Sequence, residues 1–268
     1  MCDKMKKYLI FTVASLLLMP SCLTKKEKPG ELTRTSGEVK LVTLDPGHFH
    51  AALVQKNSYK QVADEVYVYA PEGDDVQEHL NKINGYNTRT DSPTKWKEVV
   101  YLGSDFLEKM LSEKKGNVMI TAGNNGKKTE YIKQTLMAGI HVLADKPMAI
   151  NSENFGLLKE CFDIARGKGI LLYDIMTERH EITTVLQREL SCIPAVYGEQ
   201  LKGTPEEPAI VKESVHHFFK VVSGTPLKRP AWFFDVNQQG EGIVDVTTHL
   251  VDLVQWEAFP EQGIDYTQ

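Results

Sequence analysis

The chain has 268 residues, 41% hydrophobic and 25% charged, a composition that excludes intrinsic disorder and suits one large or two modest domains. A formal net charge of -5 and a pI near 5.9 leave no general basic surface. Nucleic acid is therefore a poor partner, and a small polar ligand a better one.

Lys4, Lys6 and Lys7 precede an apolar run from Tyr8 to Met19, and Ser21 stands directly before Cys22. A basic start, an apolar stretch too short to span a bilayer comfortably and a small residue at the cut form an export signal. The segment resembles a bacterial lipoprotein signal. That resemblance implies a signal peptide over residues 1–22, lipidation of Cys22, a membrane contact through the lipid anchor and a periplasm-facing location. Residues 23–37 are polar, lack apolar periodicity and read as a flexible tether. Cys161 and Cys192 remain, too few for a disulfide framework. Cys161 falls in a helical pattern as a core residue, although an exported location would permit a bridge.

From Val39 short apolar runs alternate with amphipathic stretches. "VKLVTL", "EVYVYA", "WKEVVYLGS", "NVMIT", "HVLA" and "GILLYD" read as strands. "FHAALVQK", "FLEKMLSEK" and "KTEYIKQTLMAG" read as helices, the last closed by Gly139. A further helix runs to Gly167 with Ser152 as its expected cap. Short buried strands between helices predict an α/β fold with a parallel sheet covered on both faces. Ligands of such sheets bind at the carboxyl ends of the strands.

Two loops fall at those ends. The first, "TLDPGHFHAALV", places Asp45, Gly47 and His50 where a dinucleotide fold has the three glycines of G-x-G-x-x-G, so only the middle position matches. A carboxylate at Asp45 would repel a phosphate unless it turns away or is protonated. His48 and His50 invite a metal, yet spacing indicates no third ligand, and the expectation is no metal. The second loop, "GIHVLADKP", ends a strand in Asp145, Lys146 and Pro147.

"GIHVLADKP" resembles the G-x-H-V-[LF]-x-E-K-P segment of the Gfo/Idh/MocA family of NAD(P)-dependent oxidoreductases, with Asp145 where Glu is usual. "GEGIVDVTTHLVDLVQW", residues 240–256, is similar to the family's G-G-G-x-x-x-D-x-G-x-H-x-x-D segment. The first loop further suggests lipoprotein-like members from gut Bacteroidota. The resemblance implies a Rossmann-like NAD(P)-binding domain over residues 38–150. It also implies an α+β substrate and oligomerisation domain, mainly antiparallel in its sheet, beginning at 151. Much of that second domain normally follows the D-x-x-x-H helix, so the chain to Gln268 is expected to be a C-terminally truncated piece, with exposed apolar surface, low activity and an oligomer only in the longer form.

Oxidising a hydroxyl by hydride transfer needs a proton acceptor and a cation for the developing alkoxide. Lys146, at a strand end and fixed by Pro147, suits that chemistry. Asp245 and His249 are four apart and would share one face of a helix. By resemblance Lys146, Asp245 and His249 form the catalytic cluster and contact the substrate. Cofactor contacts are expected from Asp45, Pro46, Gly47, His48, Phe49, His50, Thr121, Ala122, Gly123, Asn124, Asp145, Lys146 and Pro147. Arg179 and Trp232 are substrate-binding candidates, Trp232 by stacking on a sugar ring. Glu178 and His180 flank Arg179 as further loop candidates, and Glu72 follows the second strand as a candidate for the adenosine ribose. His216 and His217 would face opposite sides of a strand, which argues against one shared metal.

The expected function is NAD(P)-dependent oxidation of a sugar or cyclitol hydroxyl. An exported protein meets no free NAD pool, so the cofactor, NAD or NADP, would be tightly bound. Two alternatives stand beside this reading: a glycoside hydrolase of the same family with retained NAD and no net redox change, and a non-catalytic carbohydrate-binding lipoprotein.

Overall fold

A computed structural model describes residues 35–214, 219–222, 224–245, 247–260 and 262–263. The signal segment, Cys22, His216 and His217 lie outside them. Six strands form one parallel sheet: β1 (Leu41–Leu44), β2 (Glu65–Ala70), β3 (Lys97–Leu102), β4 (Val118–Thr121), β5 (His141–Asp145) and β6 (Leu172–Ile175). Their spatial order is β3-β2-β1-β4-β5-β6, and all five pairings are parallel. This is the order of a dinucleotide-binding sheet, with its switch point between β1 and β4. The sheet continues through β6, so the parallel unit extends beyond residue 150, where the sequence reading divided the chain.

The helices of this unit are α1 (His50–Leu53), α2 (Asp74–Thr88), α3 (Phe106–Glu113), α4 (Asn125–Met137) and α5 (Ser152–Lys168). Strand side chains alternate between the two faces. Val42, Leu44, Met119, Val142 and Ala144 pack with Phe106, Met110, Tyr131, Ile132, Leu136, Cys161 and Ala165, so α3, α4 and α5 cover one face. Leu41, Val66 and Ile120 pack with Ala51, Ala52, Ile83, Tyr86 and Trp96 beneath α1 and α2. Leu44 and Ile132 are fully buried, and truncating either to alanine would cost roughly 2–5 kcal/mol.

Local chemistry sets the helix ends. Gly139 follows α4 at φ 84°, the left-handed conformation that lets Gly139 N–H return to Leu136 O at 3.0 Å. Asn151, rather than Ser152, caps α5: its side chain accepts from Asn154 N at 2.8 Å, and Ser152 is the first helical residue. α1 is a single turn, shorter than the predicted run to Lys56. α2, fifteen residues long, was not expected from the sequence.

Beyond the sheet lie α6 (Ile182–Ser191), α7 (Pro194–Tyr197), β7 (Val221–Val222), β8 (Thr225–Pro226), α8 (Val236–Gln239), α9 (Gly242–Asp245) and α10 (Thr247–Ala258). β7 and β8 pair antiparallel as a two-stranded sheet. Among the described residues past Met176, Leu253 is the one large apolar side chain that is buried, whereas Ile182, Leu186, Val196, Tyr197 and Leu201 are exposed. Cys161 is buried, Cys192 is exposed, and both are free thiols.

Candidate active site

Parallel registry brings the strand ends level: Leu44 pairs with Thr121, Thr121 with Ala144, and Asp145 with Ile175. The loops after β1, β4 and β5 therefore meet at the switch point. The first two are locked together. Gly47 N and His48 N donate to Ala122 O at 2.9 and 2.8 Å, and a Cβ on Gly123 would lie 2.3 Å from Asp45 O. Only glycine fits at 123. Asn124 caps α4, accepting from Gly126 N at 3.0 Å, and its amide reaches Gln238 Oε1 at 2.8 Å.

Asp45 takes φ 46°, a conformation disfavoured for residues with a Cβ. Its carboxylate turns aside to accept from Tyr131 Oη at 3.0 Å. Burial raises its pKa and the Tyr131 hydroxyl partly offsets that rise.

A cavity of about 610 Å³ opens beside this loop, lined by Asp45 to Phe49, by residues after β2 including Glu72, Asp74 and Asp75, and by Lys228, Arg229 and Trp232. Its volume suits a nucleotide-sized ligand. Trp232 lies at the loop. Its Nε1 donates to Asp75 Oδ2 at 2.7 Å, and its Cζ2 would stand 2.8 Å from a Cβ on Gly47.

Lys146, the end of β5 and α9 meet in a buried cluster. Lys146 Nζ donates to Asp245 Oδ1 at 2.9 Å and to Asp245 O at 2.8 Å. Burial opposes ionisation of Asp245, yet Lys146 outweighs it and holds the carboxyl below its ordinary value. The sequence reading paired Asp245 with His249 on one helix. Both residues are helical, and Asp245 is bound to Lys146. His249 Nδ1 is buried without a hydrogen-bond partner, and burial, then the Lys146 charge, pushes its pKa down to about 4.

Asp145 receives both loop histidines. His50 Nδ1 lies 2.8 Å from Oδ1, and His48 Nδ1 lies 3.1 Å from Oδ2, the latter without hydrogen-bond geometry. Burial disfavours the Asp145 carboxylate, but the histidines, His50 foremost, outweigh it and hold the group well below the usual range. Burial also pushes His48 down to about 3, so its ring meets Asp145 as a neutral group at pH 7.

Arg179 is engaged elsewhere: its guanidinium grips Asp252, with Nε to Oδ2 at 2.7 Å, tying the turn before α6 to α10. Lys128 is a site residue that the sequence reading missed. Fully buried on α4, its ammonium donates to Asn125 Oδ1, to Asp145 O at 3.1 Å and to Pro147 O at 3.1 Å. It thereby pins the main chain on both sides of Lys146. Burial pushes its pKa down to about 8.

Residues 47–173 match the family "Oxidoreductase family, NAD-binding Rossmann fold", and residues 186–268 match the family "Putative oxidoreductase C terminal domain". A "putative oxidoreductase" from Parabacteroides merdae ATCC 43184, known as a crystal structure, is 76% identical over 87% of this chain, with a TM-score of 0.82. The alignment covers 53% of that protein, so this chain spans about half its length. Two more distant structures share the fold: the WlbA dehydrogenase of Bordetella pertussis in complex with NADH and UDP-GlcNAcA (16% identity, 86% of this chain, 57% of that one, TM-score 0.52), and GenD2 from gentamicin A biosynthesis in complex with NAD (16%, 86%, 57%, 0.54). No curated protein matches the chain. With this sheet order, these strand-end loops and both family matches, the chain belongs to the Gfo/Idh/MocA family of oxidoreductases.

Proposed function

We propose that the chain forms the nicotinamide-binding half of an enzyme that removes a hydride from the carbon bearing a sugar or cyclitol hydroxyl. The observation that carries this reading is Lys146, buried just past the end of β5 and ion-paired with Asp245. NAD, when bound, supplies the hydride acceptor. The residues lining the cavity fit it: Gly47 leaves room at the turn, Lys228 and Arg229 supply positive charge, and Glu72, Asp74 and Asp75 surround the end of β2. That acidic rim repels a 2′-phosphate, so NAD is favoured over NADP.

Two of the three ammonium protons of Lys146 are directed at Asp245, and the third is available to a substrate oxygen. There the cation stabilises developing negative charge. His249, neutral at pH 7, accepts the hydroxyl proton. Loss of hydride makes that oxygen far more acidic than an alcohol, so even a weakly basic ring can take the proton. The test is incubation with NAD and a panel of sugars and cyclitols, following reduced nucleotide and sugar products together. Reduced nucleotide in step with a keto-sugar supports the reading; sugar release without reduced nucleotide supports the hydrolytic alternative.

A second reading, a carbohydrate-binding protein without catalysis, is favoured by one observation: Gly47 and His48 direct their amides at Ala122 O rather than into the cavity. Sugar binding with no nucleotide binding would select it. We also propose lipidation at Cys22, a periplasm-facing membrane anchor and an oligomer in the longer protein. Mass spectrometry of the mature N-terminus tests the lipid, and light scattering tests the oligomer.

A further inference from the structure

We infer that His48, His50 and Asp145 form a binding site for one divalent transition-metal ion of the zinc class. The sequence reading set metal aside because nothing near the His48–His50 pair supplied a third ligand. Asp145, 95 residues from His50 in sequence, supplies it through the fold. One donor atom from each residue lies within 4.8 Å of the others. Two imidazoles and a carboxylate are the donor set of many open zinc and iron(II) centres.

The fit is close without being complete. Zinc bonds of about 2.0–2.2 Å to nitrogen and oxygen place tetrahedral ligands roughly 3.3–3.5 Å apart. His50 Nδ1 lies 2.8 Å from one Asp145 oxygen and His48 Nδ1 3.1 Å from the other, so the ligands need to open by a few tenths of an ångström and the carboxylate can meet the ion through either oxygen or both. His48 Nδ1 supplies the independent observation, being buried and lacking a hydrogen-bond partner while lying beside Asp145 Oδ2. Such a nitrogen is costly unless something binds it. The ring planes of His48 and His50 stand at 85° with centroids 4.3 Å apart, so the two rings approach the carboxylate from different directions. Lys128, bonded to Asp145 O, fixes the main chain of the carboxylate ligand from behind, as outer partners do at metal sites.

Charge then defines what completes the site. Asp145 and Asp245 balance Lys128 and Lys146, so a divalent ion brings a local excess of positive charge. Its open position would take an anionic oxygen, either hydroxide or the alkoxide of a bound polyol. This inference does not depend on hydride transfer.

The test is metal content of the purified chain after dialysis against trace zinc, followed by the visible spectrum of the cobalt(II)-substituted protein. One equivalent of metal is expected, with the spectrum of a low-coordinate cobalt ion that is lost in His48→Ala and in His50→Ala. Melting curves in chelator establish that the variants fold. If either does not, X-ray absorption of the zinc-loaded native chain decides, with two imidazoles and one carboxylate expected. Absence of stoichiometric metal with zinc, cobalt, manganese and iron(II), retention of the spectrum in the double variant His48→Ala/His50→Ala, or a ligand set without imidazole would each overturn the inference and leave a His–Asp–His cluster that holds no metal.

Discussion

Replacing Lys146 with methionine keeps much of the side-chain volume and removes the charge that faces Asp245. Both side chains are at most a tenth exposed and meet at 2.9 Å, so the change strands a carboxylate in a poorly hydrated site. Breaking one side of a buried pair costs about 3–5 kcal/mol, a large share of a typical total of about 5–15 kcal/mol. Asp245→Asn should cost less, because the neutral amide is cheaper to bury. The double variant Lys146→Met/Asp245→Asn should recover at least ~1 kcal/mol relative to the sum of the single changes, as interacting neighbours do. Urea unfolding at pH 7 followed by circular dichroism reads all three. The sign of the pH effect follows from Asp245, whose folded pKa is depressed despite burial, through Lys146. The stabilisation is present above the unfolded aspartate value of about 3.9 and disappears as pH falls through the folded value; in Lys146→Met that acid-side dependence should shrink. Additive single changes, or a cost for Lys146→Met below ~1 kcal/mol as at an exposed pair, would refute the buried-pair reasoning.

Gly47→Ala places a methyl group 2.8 Å from Trp232 Cζ2 and 3.0 Å from Asp75 Oδ2. Tenfold or greater loss of nucleotide affinity by calorimetry is expected, with a stability cost of about 1–3 kcal/mol from overpacking. Lys128→Met removes the donor shared by Asn125, Asp145 and Pro147 and should cost roughly 2–4 kcal/mol, lowering turnover more than substrate affinity; unchanged turnover would count against its positioning role. Glu98 bonds Gln55 at 2.6 Å, and burial pushes its carboxyl up to about 7. Its folded pKa lies above the unfolded one, so its contribution makes stability fall as pH rises between about 4.5 and 7. Glu98→Gln should flatten the pH–stability curve in that window, which thermal melts across pH would show.

The parallel sheet was legible because its strands are short apolar runs between turn residues, and the register brought "DPGHFH", "TAGNN" and "ADKP" to one edge as expected. α2 escaped notice because its buried face, Val76, His79, Ile83 and Tyr86, is set among aspartates, asparagines and a glycine that dilute the helical signal. Lys128 reads as one of two surface lysines, yet it is in phase with the buried Tyr131, Ile132 and Thr135, three, four and seven residues on. That phase was the available clue. The partners of Asp145 and Lys146 had no local signal, since they come from residues nearly a hundred positions away. For the same reason the i, i+4 spacing of Asp245 and His249 did not disclose that the ammonium of Lys146, just past β5, takes the carboxylate.

The central claim is that the crevice between β1 and β4 holds a nicotinamide dinucleotide against Lys146. Its most direct test is to acid-denature the purified chain, quantify released nucleotide, and titrate the emptied protein with NAD and NADP beside Gly47→Ala. NAD released or rebound at one equivalent, with NADP weaker and the variant impaired, is the predicted result. If the native chain releases no nucleotide and binds neither form, the claim is contradicted and the loop at Asp45 serves some other ligand.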